Sequence, residues 1–507
     1  MTPVGTCASS DYIEDYLRMH KEKVQLVWFK RDLRLEDHVP LVEACRHGKV
    51  LCCYIFEPSL LNSILWSPAH GTFLTESLIE LKKALSRCGV RLYLFEGEVL
   101  DVLNKIQQSV TIEQIWSHQE TGNQLSYERD KKVSRWCRDF SIPWNEYPQF
   151  GVMRRLRSRE GWARQWNDFM SRPLYPKPEQ PQSLQEELGF ERPDLLVTPR
   201  LDSFRQRGGF KNGLSVLESF LQQRGRFYSK GMSSPITAWE SCSRLSPYFS
   251  FGNLSIRQVW QATELVRAEG FPESGWRASL SAFSSRLRWH CHFIQKLEDE
   301  PAIEFQNMNR KMDGLRENDF NENYFEAWKR GETGYPLVDA CMRALHQTSW
   351  INFRMRAMLV SFSSYHLWLH WKKPADFLAG HFLDFEPGIH FSQVQMQSGT
   401  TGINAIRIYS PIKQVFDHDP QGEFIKKWIP ELEPVPSEFI SEPHKIPMPL
   451  QKKLGIRIGS DYPAPIVEHS TAYSEAKKRT YVWKAKQEVR EASKKVFQKH
   501  GSRRRPS

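Results

Sequence analysis

The chain has 507 residues, 40% of them apolar and 12% aromatic, with 70 Lys and Arg against 59 Asp and Glu, a net charge of +11. That length exceeds one ordinary domain, at about 150 residues each, and the apolar share excludes a generally disordered chain. The basic excess points to a polyanionic partner, nucleic acid before an acidic membrane surface.

Residues 1–23 carry Asp11, Glu14 and Asp15 and no apolar core segment, which argues against a secretory signal. From residue 24 onward, strand-like and helix-like segments alternate. Residues 24–29, 49–56, 91–95 and 112–116 read as strands, and 37–46, 75–86, 99–108 and 124–139 as helices. This alternation predicts an α/β domain over 24–150 with a doubly wound parallel sheet. No Gly-x-Gly-x-x-Gly follows the first strand, so a dinucleotide site there has no support. Residues 151–209 are expected to connect two domains. From 172 onward Pro173, Pro176, Pro178, Pro181, Pro193 and Pro199 punctuate a polar stretch that ends in Gly208-Gly209.

Residues 210–470 read as all-helical, with apolar residues every three to four positions over 214–222, 256–269, 279–298, 338–347 and 351–370. The most apolar stretch, 357–371, is interrupted by Ser361, Ser363, Ser364, His366 and His370; it predicts a buried helix, not a membrane span. Residues 471–507 form a basic end. One polar helix is expected over 470–499, followed by Arg503-Arg504-Arg505, either a solvated face or an auxiliary nucleic-acid contact. The nine cysteines are scattered without a Cys-x-x-Cys pair, so no metal site is expected. They read as free thiols of a reducing, intracellular compartment.

Several blocks, in order, carry a resemblance. They are Trp28-Phe29-Lys30-Arg31-Asp32-Leu33-Arg34, Phe73-Leu74-Thr75-Glu76-Ser77-Leu78, Ser243-Arg244-Leu245-Ser246-Pro247-Tyr248, Gly331-Glu332-Thr333-Gly334-Tyr335-Pro336, Arg407-Ile408-Tyr409-Ser410-Pro411, Phe424 to Leu432 and Tyr462 to His469. Together they resemble the photolyase/cryptochrome family of blue-light flavoproteins. The resemblance implies an α/β antenna domain followed by an all-helical domain that holds FAD.

It also implies roles. Ser243, Arg244, Leu245 and Ser246 match the flavin-phosphate segment, where hydroxyls, backbone N–H groups and a positive charge at a helix start suit a phosphate. Tyr228 resembles a tyrosine near that segment, and Cys242 stands where many relatives carry Thr. Arg356 and Asp384 match the ion pair beside the flavin ring. Phe385 and Glu386 follow it, and His390 stands where relatives place the residue nearest flavin N5. Glu120, in His118-Gln119-Glu120-Thr121-Gly122, matches the segment near a second, light-harvesting chromophore of folate, deazaflavin or flavin type.

Other positions depart from the family. Of the lesion-pocket walls only Trp289 is kept; Arg286 replaces a glutamate, Phe353 an asparagine and Met396 a tryptophan. Arginine cannot accept a hydrogen bond, and methionine lacks a stacking plane. Trp371 matches the middle of the family's three electron-transfer tryptophans. Val394 stands at the flavin-proximal position and no Trp lies near Asn318. Trp350, Trp368, Tyr365 and Trp328 have two readings, another electron route or, favoured because aromatics dominate cores, core packing. Arg286, Arg288, Lys296, Arg310, Lys311, Arg354, Lys413, Lys426 and Lys427 lie near the flavin blocks and suit DNA phosphates.

The expected protein is therefore a monomeric, FAD-dependent photolyase-like enzyme acting on UV-damaged DNA in the cytoplasm or nucleoid, or in the nucleus or an organelle of a eukaryote. The rival is a cryptochrome-type photoreceptor without repair activity. A third reading is a flavoprotein that only binds nucleic acid.

Overall fold

In a computed structural model, residues 21–197, 204–270 and 273–501 are described. Asp11, Glu14, Asp15, Pro199 and Arg503 to Arg505 lie outside them.

Five strands, β1 (Lys23–Phe29), β2 (Val50–Phe56), β3 (Leu92–Glu96), β4 (Thr111–His118) and β5 (Trp144–Tyr147), form one sheet in the order β3-β2-β1-β4-β5. All four pairings are parallel. The intervening helices α1 (Val39–His47), α2 (Pro68–Arg87), α3 (Val99–Ser109) and α4 (Gln124–Asp139) cross over between them, as parallel pairing requires. The strands are continuous apolar runs because both sheet faces are covered. One face buries Leu26, Trp28, Leu51 and Ile115 against α3 and α4. On the other, Val27, Phe29 and Cys52 share a core with Leu217, Tyr248 and Ile294 of the helical half.

The 151–209 segment contains α5 (Trp162–Ser171), whose Trp166 and Met170 are fully buried in that shared core. Its amphipathic spacing is short and flanked by polar sequence, which hides it from a composition reading. The helical half contains α6 (Phe210–Gln222), α7 (Ser246–Ser250), α8 (Ile256–Glu269), α9 (Trp276–Asp299), α10 (Pro336–Thr348), α11 (Phe353–Ser361), α12 (Lys372–His381), α13 (Pro387–Ser398), α14 (His469–Ala485) and α15 (Gln487–His500).

Two expected helices are broken. The 351–370 run stops being α-helical at Ser361, continues as a π-turn over Phe362–His366, and ends near Trp368, whose φ is +53°. The 470–499 helix divides at Lys486, which is extended. Nothing in the local sequence forbids helix there; the break turns α15 back so that Val489 packs on Met312 and Leu315.

The halves meet tightly. Gly252 has φ +66°, and a Cβ there would lie 2.2 Å from the Arg31 carbonyl oxygen, so the close approach requires glycine. Leu33 N–H donates to Phe251 O at 3.2 Å, and buried Asp37 holds both Arg257 and Ser255.

Candidate flavin and antenna sites

The helical half places Arg356 on α11 and Asp384 in the loop before α13. The guanidinium grips the carboxylate with both arms, at 2.9 and 3.0 Å, while Nε donates to Ile351 O at 2.8 Å. Ser246, which starts α7, donates its hydroxyl to the same carboxylate at 2.6 Å. Burial would raise Asp384, but Arg356 and Ser246 outweigh it and hold the carboxyl below its ordinary range. Ser246 thus orients Asp384 rather than standing free for a phosphate.

These groups line a cavity of about 700 Å³ together with Ser250, His290, Phe353, Phe385, Glu386, His390, Gln393, Val394 and Gln397. Three of its lining atoms are buried without a partner: Glu386 Oε1, His290 Nδ1 and Gln393 Oε1. Orphaned polar atoms around a fixed ion pair fit a ligand with a polar ring edge, such as a flavin. His390 Nε2 lies 2.8 Å from Ala375 O, which fixes Nε2 as the donor and Nδ1 as an acceptor. Burial pushes this imidazole down to about 4, so it is neutral near pH 7.

The remaining phosphate-segment residues lie beside this cavity, not in it. Arg244 adopts φ +59° and lies against the T-shaped pair of Trp239 and Trp350, at 4.3 and 3.9 Å from their ring centres. Its Nε donates to Gln206 Oε1. Leu245 and Tyr228 are core residues, and burial raises the Tyr228 hydroxyl to about 12. Cys242 is a free thiol, raised by burial to about 11. The backbone oxygens of Cys242 and Ser243 accept from Arg224.

Trp289, Met396 and Arg286 are not among the cavity-lining residues. Trp289 is 40% exposed and packs on Phe293 and His292. Met396 Sδ accepts from Asn404 Nδ2, and Arg286 is an exposed residue near Tyr228. Phe353 does line the cavity, with its ring 51% exposed at the rim, and its neighbour Arg354 donates to Tyr409 Oη at 3.4 Å. Lys296 is buried over the Phe293 ring, so it does not offer its charge to a surface partner. Trp371 is fully buried and donates to Asn307 Oδ1 at 2.7 Å; among the described residues its ring neighbour is His370. Trp328, Trp350 and Tyr365 are buried, and Trp368 packs against the Met312, Leu315 and Val489 cluster.

A second cavity, of about 930 Å³, opens at the C-terminal ends of β1 and β2, where doubly wound sheets bind ligands. Its wall includes Trp28, Lys30, Arg31, Tyr54, Glu57, Glu120 and Arg129. Arg129 lies over Trp28 and pairs with Glu57, Glu120 and Asp130. Burial would raise Glu120, but Arg129, Lys30 and Arg31 hold it at about 2. For Glu57 burial wins, raising it to about 7, and its Oε2 is buried without a partner. Glu57, Gln393 and His290 escaped the sequence reading: no motif marks them, and only the fold brings them to a cavity. Nearby, Asp32, His38 and His118 cluster closely enough to suggest metal ligands. The Asp32 carboxylate instead accepts from both imidazoles, and His38 Nδ1 accepts from Leu41 N–H, so the ligand atoms are already satisfied.

Comparison with known proteins agrees with this geometry. A model described as the FAD binding domain of DNA photolyase matches residues 283–481, and one described as DNA photolyase matches 25–150. The chain belongs to the photolyase/cryptochrome family. The FAD-binding match falls in the helical half, and the DNA photolyase match covers the sheet half. It is 28% identical to a deoxyribodipyrimidine photo-lyase of Agrobacterium fabrum over 89% of this chain and 96% of that one. It is equally 28% identical to cryptochrome-2 of Arabidopsis thaliana, over 90% and 78% of the two chains. An archaeal photolyase structure from Sulfolobus tokodaii, solved with two FAD molecules, superposes with a TM-score of 0.74 at 26% identity, covering 91% of this chain and all of that one. No described helix is long and apolar enough to cross a membrane.

Proposed function

We propose that this protein is a photolyase-like enzyme that acts on UV-damaged DNA. Bound, reduced FAD would supply the light-driven electron that opens a pyrimidine photoproduct. Arg356 would offer bound flavin a fixed positive charge on the cavity wall, and Asp384, oriented by Ser246, keeps that guanidinium in place. Arg244, beside the cavity, would supply positive charge to the flavin phosphates. His390, neutral and accepting at Nδ1, takes a hydrogen bond rather than releasing a proton. The 930 Å³ cavity, with Glu57 and Glu120 on its wall, would take the light-harvesting chromophore.

The observation that carries this reading is Phe353. It lines the flavin cavity and is half exposed, so an extruded base can reach the cavity and stack on an aromatic face. Trp289 on α9 is 40% exposed but does not line the cavity. A photoreceptor role without repair is favoured by a different observation: Arg286 and Met396, at the family's lesion-pocket positions, do not line the cavity.

The test is direct. The protein is loaded with FAD, reduced, illuminated with blue light and assayed on cyclobutane and (6-4) lesions in single- and double-stranded DNA. Repair of either lesion supports the enzyme. Intact photoreduction with no repair of either sinks it and leaves the photoreceptor.

A further inference from the structure

The C-terminal helix pair carries charge that the flavin and antenna sites do not use. Residues 469–500 hold nine Lys and Arg and three Glu, a net +6 out of the chain's +11. All three glutamates are already engaged: Glu475 with Arg479, Glu488 with Lys311, and Glu491 with Gln487. Lys477, Lys478, Lys486, Arg490, Lys494 and Lys495 are exposed and form no ion pair among the described residues. The unneutralised charge of this surface is therefore positive throughout. The match to the FAD-binding model ends at residue 481, before α15.

The pair is held firmly and in a particular place. Trp483 Nε1 donates to Lys311 O at 2.9 Å, Asn309 Nδ2 donates to Ser493 Oγ at 2.9 Å, and His500 lies 2.7 Å from Glu300. Lys484 Nζ reaches Asn404 O at 3.3 Å, and Asn404 in turn donates to Met396 on α13. The same helix supplies His390, Gln393, Val394 and Gln397 to the flavin cavity. The basic helices thus reach that cavity's wall through the loop at Asn404 and helix α13. On α15, Arg490 and Lys494 are four residues apart, as are Lys495 and Lys499, which puts each pair about 6 Å apart along one face. Exposed Tyr481 and Phe497 lie among these cations.

We propose that α14 and α15 form a sequence-independent clamp for the sugar–phosphate backbone of duplex DNA beside the flavin cavity. The choice of DNA rests on the proposed function; the clamp itself rests on charge and position. Long, flexible lysines on a rigid helix pair neutralise phosphates without reading bases. They would hold undamaged duplex on either side of the site while a weakened base is extruded.

The experiment uses the full-length, FAD-loaded protein and the variant Lys477→Gln/Lys478→Gln/Lys494→Gln/Lys495→Gln. Affinity for a lesion-free fluorescent duplex is measured over a range of salt concentrations. The slope of log K against log salt should fall by about 0.9 for each phosphate that the variant no longer neutralises, with flavin absorbance and photoreduction unchanged. An unchanged slope and affinity overturns the clamp, as does a wild-type protein that binds no duplex. Binding to phosphatidylserine vesicles that needs these lysines, with duplex binding unaffected, overturns it in favour of a membrane surface. Duplex binding that needs the lysines, in a protein that repairs nothing, keeps the clamp and rejects the repair reading.

Discussion

Arg31 and Glu386 join the two halves of the chain through an ion pair of 2.8 Å. Arg31 belongs to the antenna cavity and Glu386 to the flavin cavity, while Ser250 and Phe385 line both. The guanidinium also donates to Ser250 O and Phe385 O. Burial raises Glu386, and Arg31 is the main force opposing that rise. Replacing Arg31 by Gln leaves a buried carboxylate without its cation, at a cost of about 3 kcal/mol. The double variant Arg31→Gln/Glu386→Gln should recover most of this loss in a urea-melt cycle. A double variant no more stable than the single one would show that the pair does not join the halves.

Arg356→Ala should lose bound flavin. The substitution strips Asp384 of both guanidinium bonds and leaves only Ser246 on that carboxylate. The purified variant should lack the yellow absorbance of bound flavin. Full FAD occupancy would contradict the assignment of this pair to the flavin ring.

The family blocks made the Arg356–Asp384 pair and the sheet legible in the sequence, since short motifs and alternating segments survive without tertiary information. The walls of the two cavities were less legible. Glu57, His290 and Gln393 are ordinary residues in ordinary helices and loops until packing brings their polar atoms to one space. The break at Lys486 is likewise invisible, because it is decided by Val489 finding Met312 and Leu315 rather than by local propensity. In α5, Trp166 and Met170 were masked by polar neighbours.

Trp166→Ala tests whether the 151–209 segment is part of the core. Trp166 is fully buried and sits edge-on to Trp260 of α8 at 5.9 Å. Removing that volume should cost roughly 3–5 kcal/mol, measured as a shift of the denaturant midpoint at constant slope. A loss within the range of a surface substitution would mean that the helix packs only loosely.

Val394→Trp addresses the electron route. Val394 lines the flavin cavity and belongs to the same apolar cluster as Trp371. On the proposed route from Trp371 to the cavity, valine at 394 supplies no aromatic ring. Restoring the ring should accelerate blue-light photoreduction several-fold, and the gain should vanish in a Trp371→Phe background. Acceleration that persists without Trp371 would mean that the route leaves the cavity elsewhere.

Acid should destabilise the fold before the ordinary carboxylates titrate. Burial lowers His118, His290, His292 and His366 from 6.5 to about 3, and His70 and His390 to about 4. The unfolded chain therefore takes up protons below 6.5 that the folded chain refuses until about 4 or 3. In that window the unfolded state binds more protons, so stability falls as pH falls. Asp32, held well below its ordinary range against the burial penalty by His38 and His118, adds a loss of the same sign at lower pH. Asp339, Asp419 and Glu57 act oppositely: burial raises the first two to about 6 and the third to about 7, so their contribution is lost as pH rises through those values. Six imidazoles outweigh three carboxyls, and the thermal midpoint should drop steadily as pH falls from 6.5 towards 4. The drop should shrink in His290→Phe, which removes one of the six without placing a charge in the flavin cavity. A thermal midpoint that stays flat across this window would mean that these histidines bind protons in the folded state despite their burial.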